Sequence, residues 1–186
     1  MNNTIDDELV DAVSEVDTDE IGNTSSLQKY IENALFMLNK ADLYNVYQEQ
    51  FDMFFNLARK EIYTTYKSEF CIRRITLDEL AESDIEGYYY APSNFITWDS
   101  PLPIDSKIDE DGDKIYKMGG STITYVYDEL EGLEDNVIYL MSIYFKFLKN
   151  ISLSIIRLTP VEIDFVNNGY AESIIALKRS LNILKY

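Results

Sequence analysis

Apolar residues recur with helical spacing at both ends of this chain and with strand spacing in its middle. Leu27, Tyr30, Ile31, Ala34, Leu35 and Leu38 stand at i, i+3, i+4, i+7, i+8 and i+11, the stripe of an amphipathic helix with Ser26 placed to cap it. Asn39-Lys40-Ala41-Asp42 interrupts the stripe, and Asp42 suits the cap of a second, longer helix. That helix runs through Phe51, Phe55, Ala58 and Ile62 to about Lys67. At Phe70 the period changes from 3.6 to 2, which predicts strands. Helical spacing returns at Val137, Leu140, Met141, Tyr144, Phe145 and Leu148. Thr159-Pro160-Val161-Glu162 then reads as a capping box with proline in the first turn of a last helix. The stripe of that helix continues through Val166, Tyr170, Ile174, Leu177 and Leu184, with Lys178, Arg179 and Lys185 suited to its negative end.

The predicted fold is therefore mainly α (α+β): a four-helix body made of two helical hairpins, at about 26–67 and 135–185, with an inserted small antiparallel β region at about 68–129. Within the insert, Asp109-Glu110-Asp111-Gly112-Asp113 invites a calcium reading. With Gly112 at position 6 of an EF-hand loop, position 1 falls on Lys107 and position 12 on Met118, and neither can serve as the ligand needed there. Asp-Gly between alternating apolar flanks predicts a hairpin turn instead. Gly119-Gly120 predicts a second turn, since neither the helix nor the lysine of a phosphate loop follows it.

Residues 1–25 form an acidic arm with no Lys or Arg before Lys29 and only a faint helical stripe at Leu9, Val10, Val13 and Val16. Such a segment does not fold alone and is expected to become ordered against a partner. With 186 residues, 46% of them apolar, the remainder suffices for one domain with a sizeable core. The N-terminus has no basic, apolar signal sequence. The one apolar run near membrane length, Val137 to Ile156, contains Lys146, Lys149 and Asn150. Each such cation costs about 2.5–3.5 kcal/mol near a bilayer centre, so a core helix in a protein made in the cytosol is expected.

The formal net charge of -17 excludes simple phosphate neutralisation of nucleic acid and docking on an anionic membrane. It leaves an ordinary acidic protein, an acidic mimic of nucleic acid, or a surface past which DNA slides. There is no histidine, which removes the commonest general base and metal ligand. Cys71, the single cysteine, sits between Phe70 and Ile72 and reads as a small buried hydrophobe. Acid pairs such as Asp111/Asp113 and Glu134/Asp135 read as solvated surface in a chain with 33 acids. No catalytic residue, cofactor or metal is expected. The aromatic residues of the insert, Tyr88, Tyr89, Tyr90, Phe95, Trp98, Tyr116 and Tyr125, have no basic groove beside them for stacking bases. They are expected to combine core packing with a protein–protein contact.

Tyr89-Tyr90-Ala91-Pro92-Ser93-Asn94-Phe95, Asp113-Lys114-Ile115-Tyr116 and Ile123-Thr124-Tyr125-Val126-Tyr127, between two opening and two closing helices, resemble the layout of podovirus tail tubular protein A and related phage head-to-tail adaptors. The resemblance spans about Leu27 to Leu184. It implies a non-enzymatic virion protein at the phage neck that forms a ring, usually of twelve copies. Its partners would be further copies of itself, the portal protein, the tail nozzle or next tail ring, and genomic DNA passing without specific binding. An acidic channel wall would then keep DNA from sticking. Many relatives carry a tail beyond the last helix; here the acidic N-terminal arm is expected to take that role. The rival expectation is an acidic DNA mimic that inhibits a basic host partner.

Overall fold

The computed structural model describes residues 18–130 and 132–182. Most of the acidic arm, residues 1–17, lies outside them, as do Leu184 and Lys185 of the last predicted stripe. Four helices are present: α1 (Thr18–Phe36), α2 (Gln48–Thr65), α3 (Val137–Ser154) and α4 (Pro160–Ser180). Helix α1 begins eight residues ahead of Ser26, inside the stretch read as an arm. The second helix starts later than a cap at Asp42 implies, because Ala41–Val46 coils as a 3-10 segment. That tighter turn carries Tyr44 into the core, where its hydroxyl donates to Asp52 at 3.1 Å.

The helices do not form the expected four-helix body of two hairpins. Helix α3 is the hub: α1, α2 and α4 all pack on it, whereas α1 rests mainly on the 3-10 segment and about equally lightly on α2 and α3. The reason lies in α3 itself, which buries Tyr139, Ser142, Ile143, Tyr144, Phe145, Phe147, Leu148 and Ile151. These residues face several directions, so the helix recruits neighbours around most of its circumference. Helix α4 packs on α3 from outside, and Gly169 is what lets it approach. A Cβ at Gly169 would lie 2.1 Å from Cε1 of Phe145, whose ring occupies that space.

The start of α4 conforms to its sequence signal. Thr159 Oγ1 accepts from the Glu162 amide at 3.3 Å, and Glu162 Oε2 accepts from the Thr159 amide at 2.7 Å. Lys40 stands 2.9 Å from the other carboxylate oxygen. Backbone donation from Thr159, reinforced by Lys40, holds the Glu162 carboxyl down to about 2.

The β region is larger and more organised than a small insert, which makes the protein α+β rather than mainly α. Strands β1 (Ile72–Thr76), β6 (Thr122–Tyr127) and β3 (Phe95–Ser100) form one antiparallel sheet in the order β1-β6-β3. Strands β2 (Tyr89–Tyr90), β5 (Lys114–Lys117) and β4 (Asp105–Ile108) form a second, in the order β2-β5-β4. The chain alternates between the sheets rather than completing one before the other. Gly119-Gly120 accordingly bends the chain out of β5 and into the other sheet instead of closing a hairpin.

Two hydrophobic cores result, and β6 belongs to both. Val126 is buried in the helical core with Cys71, while Ile123 and Tyr125, pointing the other way, are buried between the sheets. Where β6 ends, the helices grip the chain. Arg59 Nη2 of α2 donates to Asp128 Oδ2 at 3.0 Å, and its Nε lies 2.8 Å from Oδ1 in a poorly aligned, mainly coulombic contact. The Tyr63 hydroxyl donates to the Glu129 carbonyl at 2.8 Å. Among the described residues, no helix is long and apolar enough to cross a membrane.

Because Gly169 faces a ring rather than a movable chain end, G169A is expected to cost roughly 1–3 kcal/mol, the range for overpacking a filled core. Thermal unfolding checks this, and Phe145→Leu introduced into G169A is expected to recover part of the lost stability.

Candidate functional site: the aromatic β unit

The seven aromatic residues singled out in the sequence do come together, on the two faces of the second sheet. Tyr88, Tyr89 and Tyr90 alternate. Tyr89 turns inward against the core between the sheets, whereas Tyr88 and Tyr90 turn to the outer face. There the Tyr88 hydroxyl donates to Asp105 Oδ2 at 2.5 Å and the Tyr90 hydroxyl to Asp109 Oδ2 at 2.8 Å. Both tyrosines therefore reach across β5 to β4, over a fully buried Ile115, with Lys107 Nζ 4.6 Å from the centre of the Tyr88 ring. These bonds hold the carboxyls of Asp105 and Asp109 below their ordinary value. Donation to Asp109 pushes the Tyr90 phenol up to about 12.

On the inner side, Phe95, Trp98, Tyr116 and Tyr125 form one ring cluster. Phe95 and Trp98 centroids are 4.5 Å apart, and Trp98 meets Tyr116 edge-on at 5.3 Å. Residues three apart in a regular strand point to opposite faces, so this contact needs a correction in β3. The register supplies it: Phe95 pairs with Tyr127 and Thr97 with Val126, a bulge that returns Trp98 to the face of Phe95. Nothing in the residue pattern marks that bulge.

Packing consumes most of this ring surface. Tyr88, Trp98 and Tyr125 are buried, and Tyr89, Tyr90, Phe95 and Tyr116 are half-buried, so any partner meets the edges of the latter four. Beside them lies an open groove of about 660 Å³ between β3 and β4, walled by Trp98, Tyr116, Ile104 and Lys114. Leu102 and Ile104 project at its rim, 68% and 71% exposed. These two residues carry no periodic signal in a Pro-rich link, and the sequence reading passed over them.

The acidic loop behaves as a turn. The amides of Asp111 and Asp113 both donate to Asp109 Oδ1, at 3.1 and 2.8 Å, and Gly112 adopts the left-handed conformation at φ 91°. Glu134 pairs with Lys29 at 3.3 Å on the surface. Cys71 is buried, and burial pushes its thiol up, away from nucleophilic use. Among the described residues, no group of three or more Asp, Glu or Cys side chains could hold a metal ion. The geometry offers a packed aromatic scaffold with an exposed rim. In comparisons with known proteins, the chain matches no protein-family model and no curated relative.

The Tyr88 and Tyr90 straps give the hairpin its order. The double variant Y88F/Y90F is expected to speed amide exchange of Lys107, whose amide faces β5 opposite Ile115, several-fold. Helix α3 should exchange at its original rate, as hydrogen-exchange mass spectrometry would report.

Proposed function

We propose that this protein is a structural adaptor of a tailed-phage virion, a ring component joining the capsid portal to the tail. The observation that carries the reading is the order of its parts: a helical pair, a β unit and a second helical pair, with the β unit anchored to the helices through β6. That is the order of the head-to-tail adaptors its motifs resemble. In this role the helices supply ring contacts, and the β unit faces the next tail component.

Exposed apolar side chains support assembly with further copies. Phe36, Val46, Leu153 and Val161 are 66–80% exposed, at the ends of α1, the 3-10 segment, α3 and α4. Covering them would favour association, as burial does at other subunit contacts. The charge of -17 fits a passage through which genomic DNA slides without phosphate contacts. The same charge also suits an acidic inhibitor of a basic host protein, so the experiment must separate the two.

The test is to mix the purified protein with the cognate portal complex and measure mass by size-exclusion chromatography with light scattering. The adaptor reading predicts a ring of many copies bound to the portal, even if the free protein is monomeric. A protein that ignores the portal, yet binds a basic partner with steep salt dependence, would overturn it in favour of the inhibitor.

A further inference from the structure

Strand β4 is the free edge of the second sheet, and all four of its residues are exposed. The Asp109 amide donates to the Asp113 carbonyl at 2.9 Å, so by alternation Lys107 and Asp105 also turn their main chain to β5. Ser106 and Ile108 turn theirs to the open edge. Just before the strand, the Ile104 amide turns back to the Lys117 carbonyl at 2.8 Å, so the open stretch is short. Ile104 and Ser106 line one groove with Tyr116 on the inner face, which Ile108 shares, and the two isoleucines are 71% and 62% exposed. On the outer face, Lys107 lies with its Nζ 4.6 Å from the centre of the Tyr88 ring and makes no ion pair among the described residues.

Charged residues commonly blunt a free edge against pairing. Here their order admits one partner. Read in reverse against itself about Ser106, Ile104-Asp105-Ser106-Lys107-Ile108 sets each Ile opposite an Ile, each Asp opposite a Lys, and Ser opposite Ser. Opposite charges and apolar pairs facing across strands are stabilising, whereas like charges directly opposite are not. The open edge also tolerates few other alignments. A shift of two residues, the smallest that keeps the open main-chain groups facing, sets either Asp105 or Lys107 against its own copy. A longer shift toward the C-terminus runs into the turn that Asp109 and Asp113 close.

We propose that β4 pairs with β4 of a second copy of this chain, antiparallel and centred on Ser106, joining two three-stranded sheets into one of six strands. In the single chain the Ser106 amide donates to Asp105 Oδ1 at 2.8 Å. On pairing it turns to the Ser106 carbonyl of the second copy, which frees Oδ1 for that copy's Lys107. Asp105 Oδ2 keeps the Tyr88 hydroxyl at 2.5 Å, so the strap that orders β4 also holds the carboxylate in place for the contact. The contact is small and belongs to the transient class, so the dimer grows in with protein concentration. Because it is isologous, it closes at two copies and cannot build a ring. It therefore stands apart from the ring reading.

The test uses the full-length protein, with sedimentation velocity across a concentration series at physiological salt. Wild-type protein is expected to pass from monomer to dimer. D105K and K107E, each setting like charges opposite one another, are expected to stay monomeric. An equimolar mixture of the two is expected to dimerise again, because every Lys of one then faces an acid of the other. As an independent arm, S106C places two thiols at the two-fold axis. Residues in such a pair stand about 5.5 Å apart at Cα, within the range a disulfide spans. Under mild oxidation S106C should form an intermolecular disulfide roughly tenfold or more faster than E172C, an exposed site on α4, because a held contact raises effective concentration. Buried Cys71 does not compete. Three results would each overturn the proposal: a wild-type protein that stays monomeric with S106C no faster than E172C, single variants that dimerise as wild type does, or a mixture no more associated than its components.

Discussion

Strand β6 buries apolar residues on both of its faces, and that constraint organises the molecule. Val126 must reach the helices while Ile123 and Tyr125 reach the second sheet, so the strand can neither rotate nor slip by one residue without emptying both cores. Its exit is held by Arg59, only 8% exposed at the side chain, against Asp128. Removing one partner of a buried pair leaves an uncompensated charge at a cost of about 3–5 kcal/mol. The pair therefore fixes where the chain leaves the sheet more than it adds net stability. Tyr63, bonded to the next carbonyl, holds the same link from the same helix.

This mounting gives the β unit its meaning. A pair of three-stranded sheets is small for an independent domain, and Val126 of β6 and Ile96 of β3 let it share the helical core instead. On the outer face, Tyr88 and Tyr90 strap β4 across β5; on the inner side the aromatic cluster fills the space nearest β6 and leaves the β4 side open. The unit is thus firm at its base and incomplete at its rim. The proposed adaptor role calls for that distribution: a fixed orientation relative to the body, with unmet surface only where a neighbour arrives.

Local signals were legible in the sequence. The Thr159–Glu162 box, the Asp-Gly turn and the apolar stripe of α3 each depend on residues close in the chain, and each folds as the pattern implies. Relations between distant residues were not. The four-helix expectation failed because a stripe shows that a helix has a buried face, not which neighbour covers it; α3 collects the others. The β region was underestimated because the alternation of strands between two sheets leaves no periodic trace. The bulge that puts Trp98 beside Phe95 is likewise visible only in the pairing with β6. The aromatic residues do cluster, but how much of each ring is buried could not be read from composition.

The central claim is that β6 joins the β unit and the helices into one cooperative body. Native-state hydrogen exchange, followed by residue across increasing denaturant, tests it most directly. The account predicts that the amides of Tyr125 and Val126 converge with those of Phe147 and Leu148 on a common, highest opening free energy. Exchange of β6 through a separate opening of much lower free energy, with α3 still protected, would contradict it and make the β unit a loosely tethered module.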